Sequence, residues 1–134
     1  MHNYYFDTNG FQDTQEKRDE TGNGIGGFKL ANTLRATLLA GGFDCEEVFA
    51  EDYGWAFTAT LDDTSCLVTA SVDPNEEAEQ EAHLTSFANI NVVKERSFWD
   101  KLRGRNKPTR NQLAQTTVRQ VLENHPDVVD LKYS

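Results

Sequence analysis

Several things are scarce in this chain. Its 134 residues hold 2 cysteines, 3 prolines and 1 methionine, and no apolar run approaches the roughly 20 residues that a membrane-spanning helix needs. Cys45 and Cys66 have no zinc-finger spacing, and neither belongs to a C-x-x-C. They read as buried, reduced thiols, with a disulfide between them as the alternative. The opening residues, M-H-N-Y-Y-F-D-T, contain no basic stretch followed by an apolar one. No secretory signal is read there, so a soluble, cytoplasmic protein is expected. There is no G-K-S/T and no G-x-S-x-G, which removes a Walker-type phosphate loop and a nucleophile elbow.

The most informative scarcity is of one sign of charge. From Asp44 to Glu81 there are 12 acidic residues and no lysine or arginine. The segment from Lys94 to Arg110 then carries 7 of the chain's 13 basic residues, against Glu95 and Asp100. The net charge of −9 is therefore distributed as an acidic middle and a basic stretch after it. Such an acidic surface disfavours nucleic acid and anionic membranes, and steers basic partners toward it.

What is present points to one folded domain of the α+β class. With 8 Phe, 4 Tyr and 2 Trp there is bulky core material, and the apolar residues fall in periodic blocks. Residues 2–7 read as a first strand and residues 8–24 as a mobile, polar, glycine-containing loop. Leu30, Leu34 and Leu38 recur at helical spacing and predict a helix over 28–40, closed by Gly41 in a left-handed cap. A weak strand over 43–49 is expected near a sheet edge, because Glu46 and Glu47 interrupt it.

The alternation Tyr53, Trp55, Phe57, Ala59, Leu61 predicts a strand with one heavy apolar face. Cys66, Val68, Ala70 and Val72 resume the alternation after a turn, as in an antiparallel hairpin. Leu84, Ala88, Ile90 and Val92 predict a further strand. Ser97 and Asp100 cap a short helical turn carrying Phe98, Trp99 and Leu102. Thr109 with Gln112 opens a second C-terminal helix bearing Leu113, Ala114, Val118, Val121 and Leu122 on one side, ending before Pro126. Val129, Leu131 and Tyr133 make a last strand. The order is β-α-β-β-β-β-α-α-β: a mainly antiparallel sheet with its helices on one face.

Candidate chemistry is thin. Gly22, Gly24 and Gly27 spell G-x-G-x-x-G before a helix, the pattern of a dinucleotide loop. The preceding residues, Q-E-K-R-D-E-T, have no strand pattern, and an antiparallel meander follows instead of a βαβ unit. The glycines therefore read as an entry loop, and no cofactor is expected. His83 follows Glu79 and Glu81, but a metal site needs three or four convergent donors and no such spacing exists. Glu51 and Asp52, beside an aromatic strand, are the most suggestive acids for proton transfer; a turn entering a strand explains them equally.

The stretch L-A-N-T-L-R-A-T-L-L-A-G-G-F, followed by E-D-Y-G-W-A-F at Glu51–Phe57, resembles small uncharacterised bacterial α+β proteins. In those an E-D-[W/Y]-G-W motif opens a strand after a helix and a glycine turn. The resemblance spans residues 28–60, implies a bacterial origin and carries no catalytic residue. The expectation is a non-enzymatic, protein-binding domain, immunity-like or inhibitory, whose acidic surface takes a basic partner through Glu46, Glu47, Glu51, Asp52 and Trp55. Two alternatives stand beside it. One is a small-ligand protein or enzyme with a pocket near Trp55. The other is phosphate or nucleic-acid contact through Lys101, Arg103, Arg105 and Lys107, although Phe98, Trp99 and Leu102 would also serve as a core plug.

Overall fold

The computed structural model describes residues 2–62, 64–73, 86–95 and 112–133. Seven described strands form one antiparallel sheet: β1 (His2–Thr8), β2 (Asp44–Cys45), β3 (Phe49–Glu51), β4 (Gly54–Leu61), β5 (Thr64–Val72), β6 (Ser86–Glu95) and β7 (Val129–Tyr133). Their spatial order is β2-β4-β5-β6-β1-β7, and β3 lies beside β2 on the same side of β4. The described helices are α1 (Gln15–Asp19), α2 (Phe28–Ala40) and α3 (Gln112–Asn124). The expected turn carrying Phe98, Trp99 and Leu102 lies outside the described residues.

Period-2 alternation decides which face is buried. Trp55, Phe57 and Ala59 stand opposite Ala70, Val68 and Cys66, and Val68, Ala70 and Val72 stand opposite Val92, Ile90 and Ala88. Tyr4 and Phe6 continue the row opposite Ile90 and Ala88. All of these are buried in one core cluster with Leu30, Ala31, Leu34 and Leu38 of α2 and Ala114, Val118 and Leu122 of α3. One helix-covered sheet face thus holds the core, the α+β arrangement that the periodicity predicts. The Tyr4 hydroxyl ties β1 to α3 by donating to the Gln115 carbonyl at 3.2 Å.

Four local expectations change. The 43–49 strand is two short pieces, β2 and β3, separated where Glu46 and Glu47 stand exposed. Tyr53 is half exposed in the turn before Gly54 and does not join the apolar face of β4, because the strand begins at Gly54. Leu113 is exposed, outside the buried stripe of α3. At the end of α2 the left-handed residue is Gly42 (φ 95°) rather than Gly41 (φ −82°). There Phe43 N–H donates to Leu38 C=O at 3.0 Å and Gly42 N–H to Leu39 C=O at 3.1 Å, a Schellman closure that buries Phe43.

The segment 8–24 is not a featureless loop. It contains α1, capped by Thr14, and is fastened to α2 by Asp13. The Asp13 carboxylate accepts from the backbone N–H groups of Gly27, Phe28 and Lys29 at 2.7, 2.8 and 3.0 Å. Further on, Gly26 pairs with Val72 in both directions, at 3.0 and 2.9 Å, where β5 outruns β4. Gly27, at φ 133°, then passes so close to β5 that a Cβ on it would lie 2.4 Å from the Ala70 carbonyl oxygen.

These contacts rank the glycines. Gly27→Ala adds a Cβ inside van der Waals distance of backbone at a left-handed φ, and is expected to cost about 2–4 kcal/mol. Gly22→Ala, at φ 82° with nothing within 4 Å of the new atom, is expected to cost about 1 kcal/mol for the φ alone. Asp13→Ala, which leaves three helix-start N–H groups without their carboxylate, is expected to cost about 1–2 kcal/mol. Urea unfolding of the three variants beside the parent measures the order; equal losses at Gly22 and Gly27 would contradict the close approach.

Candidate functional site

The glycine motif is decided by Asp13. A phosphate loop works because the first N–H groups of a helix are free for an anion and the helix dipole favours it. Here those N–H groups are taken by the chain's own carboxylate. No described strand runs into the loop from the position a dinucleotide fold requires, since α1 precedes it. The loop is a structural joint.

Beyond the C-terminus of α2 lies the sheet edge formed by β2 and β3. Asp44, Glu46, Glu47, Glu51 and Asp52 are all exposed along it. Phe49 and Tyr53 are exposed with them, at 40% and 50%. The pairing of β3 to β4 produces this grouping: Phe49 faces Ala56, Ala50 faces Trp55, and Glu51 faces Gly54, so Phe49 and Glu51 point away from the helix layer. Among the described residues, none of the five carboxylates makes a side-chain hydrogen bond or an ion pair. Arg35 reaches the edge from α2 but spends its guanidinium on backbone: Nε donates to Glu46 C=O at 2.8 Å and Nη2 to Cys45 C=O at 3.2 Å. The arginine therefore fastens the edge to the helix and, among the described residues, forms no ion pair with these acids.

Trp55 does not share that surface. It is 2% exposed and packs edge-on beneath Phe28 with ring centroids 4.9 Å apart. Lys17 of α1 lies over the same pair, 4.0 Å from the Phe28 ring and 5.4 Å from the Trp55 ring. The Trp55 indole N–H is buried without an acceptor among the described residues. Two clefts flank Phe28, which packs on Trp55, and the described residues lining them do not include Trp55. One, of about 260 Å³, is lined by Phe28, Asn32, Arg35, Glu47 and Val48. The other, of about 230 Å³, is lined by Asp13, Thr14, Lys17, Phe28 and Lys29.

The remaining candidates are placed as follows. Glu51 and Asp52 are both exposed, so neither has the desolvated setting that splits an acid–base pair. Glu79, Glu81 and His83 lie outside the described residues, as do Lys101, Arg103, Arg105 and Lys107. Among the described residues no group of three His, Cys, Asp or Glu converges as metal ligands. No described helix is long and apolar enough to cross a membrane.

Three residues of this region had no sequence signal. Asp13 caps a helix from 14 positions away, outside any local capping pattern. Phe49 gains its place beside the acids from the pairing of β3 to β4, and Tyr53 from the turn that joins them. Comparison with protein-family models, curated proteins and solved structures finds no match to the chain.

The two cysteines cannot join in this fold. Cys45 pairs with Ala59, which pairs with Cys66, so a whole strand separates them. Two strand spacings come to about 9.5 Å, beyond disulfide reach. Burial pushes the Cys45 thiol pKa up, against the opposing pull of Arg35, so less thiolate is present near neutrality than on a free cysteine. Iodoacetamide is therefore expected to modify Cys45 slowly at pH 8, with the rate rising only at more alkaline pH than for a free thiol. Cys66, fully buried, is expected to react only on unfolding. Rapid labelling of both in the folded protein, followed by mass spectrometry, would contradict this placement.

Proposed function

We propose that the chain is a non-enzymatic, protein-binding domain, immunity-like or inhibitory in character, that engages a basic partner through its acidic β2–β3 edge. The observation that carries the reading is the coincidence on one edge of two exposed aromatic rings and five exposed carboxylates that have no side-chain partner among the described residues. Interfaces commonly draw most of their energy from a few aromatic anchors inside a polar rim. Opposite charge adds encounter rate and selectivity. Phe49 and Tyr53 take the anchor role here, in place of Trp55, and Glu46, Glu47, Glu51 and Asp52 form the rim.

A second reading has one observation in its favour: the cleft beside Phe28, lined by Phe28 and Val48 and by the polar side chains of Asn32, Arg35 and Glu47, offers a small ligand both kinds of contact. Specific thermal stabilisation by a small molecule, lost in Phe28→Ala, would select that reading.

The protein-binding reading is tested by capture from a bacterial lysate at low and moderate salt. Wild type is compared with a variant carrying Glu46→Gln, Glu47→Gln, Glu51→Gln and Asp52→Asn. One stoichiometric protein is expected on the wild type. It should be lost from the variant and weakened as salt rises, since exposed charges are screened beyond about 8–10 Å at physiological ionic strength. A partner held equally by the variant, or indifferent to salt, overturns the reading.

A further inference from the structure

The sheet has two open edges among the described strands, and they are built differently. The β7 edge carries devices that blunt an edge against pairing. Its register with β1 slips between Tyr5 and Asp7, Asp130 takes a left-handed φ of 54°, and Lys132 stands in the strand. The β2–β3 edge has no proline and no lysine; residues 44–53 read D-C-E-E-V-F-A-E-D-Y. Its outer side pairs with no described strand, and Phe49 and Tyr53 stand exposed on it.

Its charges are selective. Like charges facing each other across a ladder are destabilising, so an acid-only edge rejects a second copy of itself and any acidic strand. A cationic strand meets the opposite condition at each acidic position. Arg35, held on the Glu46 and Cys45 carbonyls, adds one positive charge beside five exposed carboxylates, so the edge stays net acidic among the described residues.

Resting on the protein-binding reading above, we propose that this edge takes up an extended cationic segment of a second protein as an added strand alongside β3. The main-chain groups on the outer side of Phe49–Glu51 pair with the incoming backbone. The carboxylates of Glu46, Glu47, Glu51 and Asp52 meet its lysines or arginines. The Phe49 and Tyr53 rings pack on the aliphatic stems of those cationic side chains. Because β3 has only 3 residues, the ladder sets direction and register, while the rings and carboxylates set affinity.

The test uses the full chain, labelled with nitrogen-15, and a capped octapeptide alternating lysine and valine. Two further versions are N-methylated, one on every lysine amide and one on every valine amide. Alternate amides of a strand point to opposite sides, so one methylated peptide should lose at least about tenfold in affinity while the other binds like the parent. Amide shifts should concentrate at residues 49–51, and a glutamate-for-lysine peptide should not bind. No binding by the parent peptide, shifts centred elsewhere, or equal behaviour of the two methylated peptides overturns strand addition.

The four-acid variant separates the two failures. If both methylated peptides bind wild type like the parent and none binds the variant, strand addition falls and the acidic-surface reading stands. If the variant binds all three as wild type does, the acidic-surface reading itself falls. The spectrum of the variant shows in the same experiment that it is folded.

Discussion

Helix α2 covers the sheet because no side chain stands between its N-cap residue and the backbone of β5. Gly27 passes against the Ala70–Ser71 peptide, and Gly54, entering β4, passes against the same peptide from the neighbouring strand: a Cβ on Gly54 would lie 2.5 Å from the Ala70 oxygen. Two backbones thus converge on one peptide unit without side chains to hold them apart. That convergence fixes the start of α2, and Asp13 satisfies the N–H groups that the approach leaves pointing outward. From this start the helix lays Leu30, Ala31, Leu34 and Leu38 onto the apolar face of β4 and β5.

The same helix then builds the acidic edge. Its Schellman closure turns the chain at Gly42 and drops Phe43 into the core, so that β2 begins directly at Asp44. Arg35, one side of the helix up, holds the carbonyls of Cys45 and Glu46. The backbone of the edge is therefore anchored while its carboxylates remain in water, which keeps their charge undamped by burial.

The sequence makes legible whatever is written in local period. The stripe of α2, the alternation of β4 and β5, and the apolar spacing of α3 each lie within one window, and each element forms where that spacing runs. What escapes is set by contacts between windows. Helix α1 buries none of its residues, so it leaves no apolar stripe to read. Tyr53 alternates correctly with Trp55, yet Gly54 at φ 145° turns it out of the strand. The acids at 44–52 are plain in composition, but their union with Phe49, and the exclusion of Trp55 from their surface, follow only from how β3 registers on β4. Glycines before a helix look like a ligand loop until the carboxylate that fills it is found.

Strand β1 has a consequence for how the molecule is made. It precedes the other described strands in the chain, yet its neighbours on both sides are β6 and β7. Tyr4 and Phe6 therefore emerge long before the strands that flank them exist. Both edges of β1 stay unpaired until residues 86–95 and then 129–133 have been synthesised. Closing such a sheet joins chain segments that are distant in sequence, a topology associated with slow folding. During that interval the hairpin of β4 and β5 and helix α2, which are neighbours in sequence, are the parts able to assemble first.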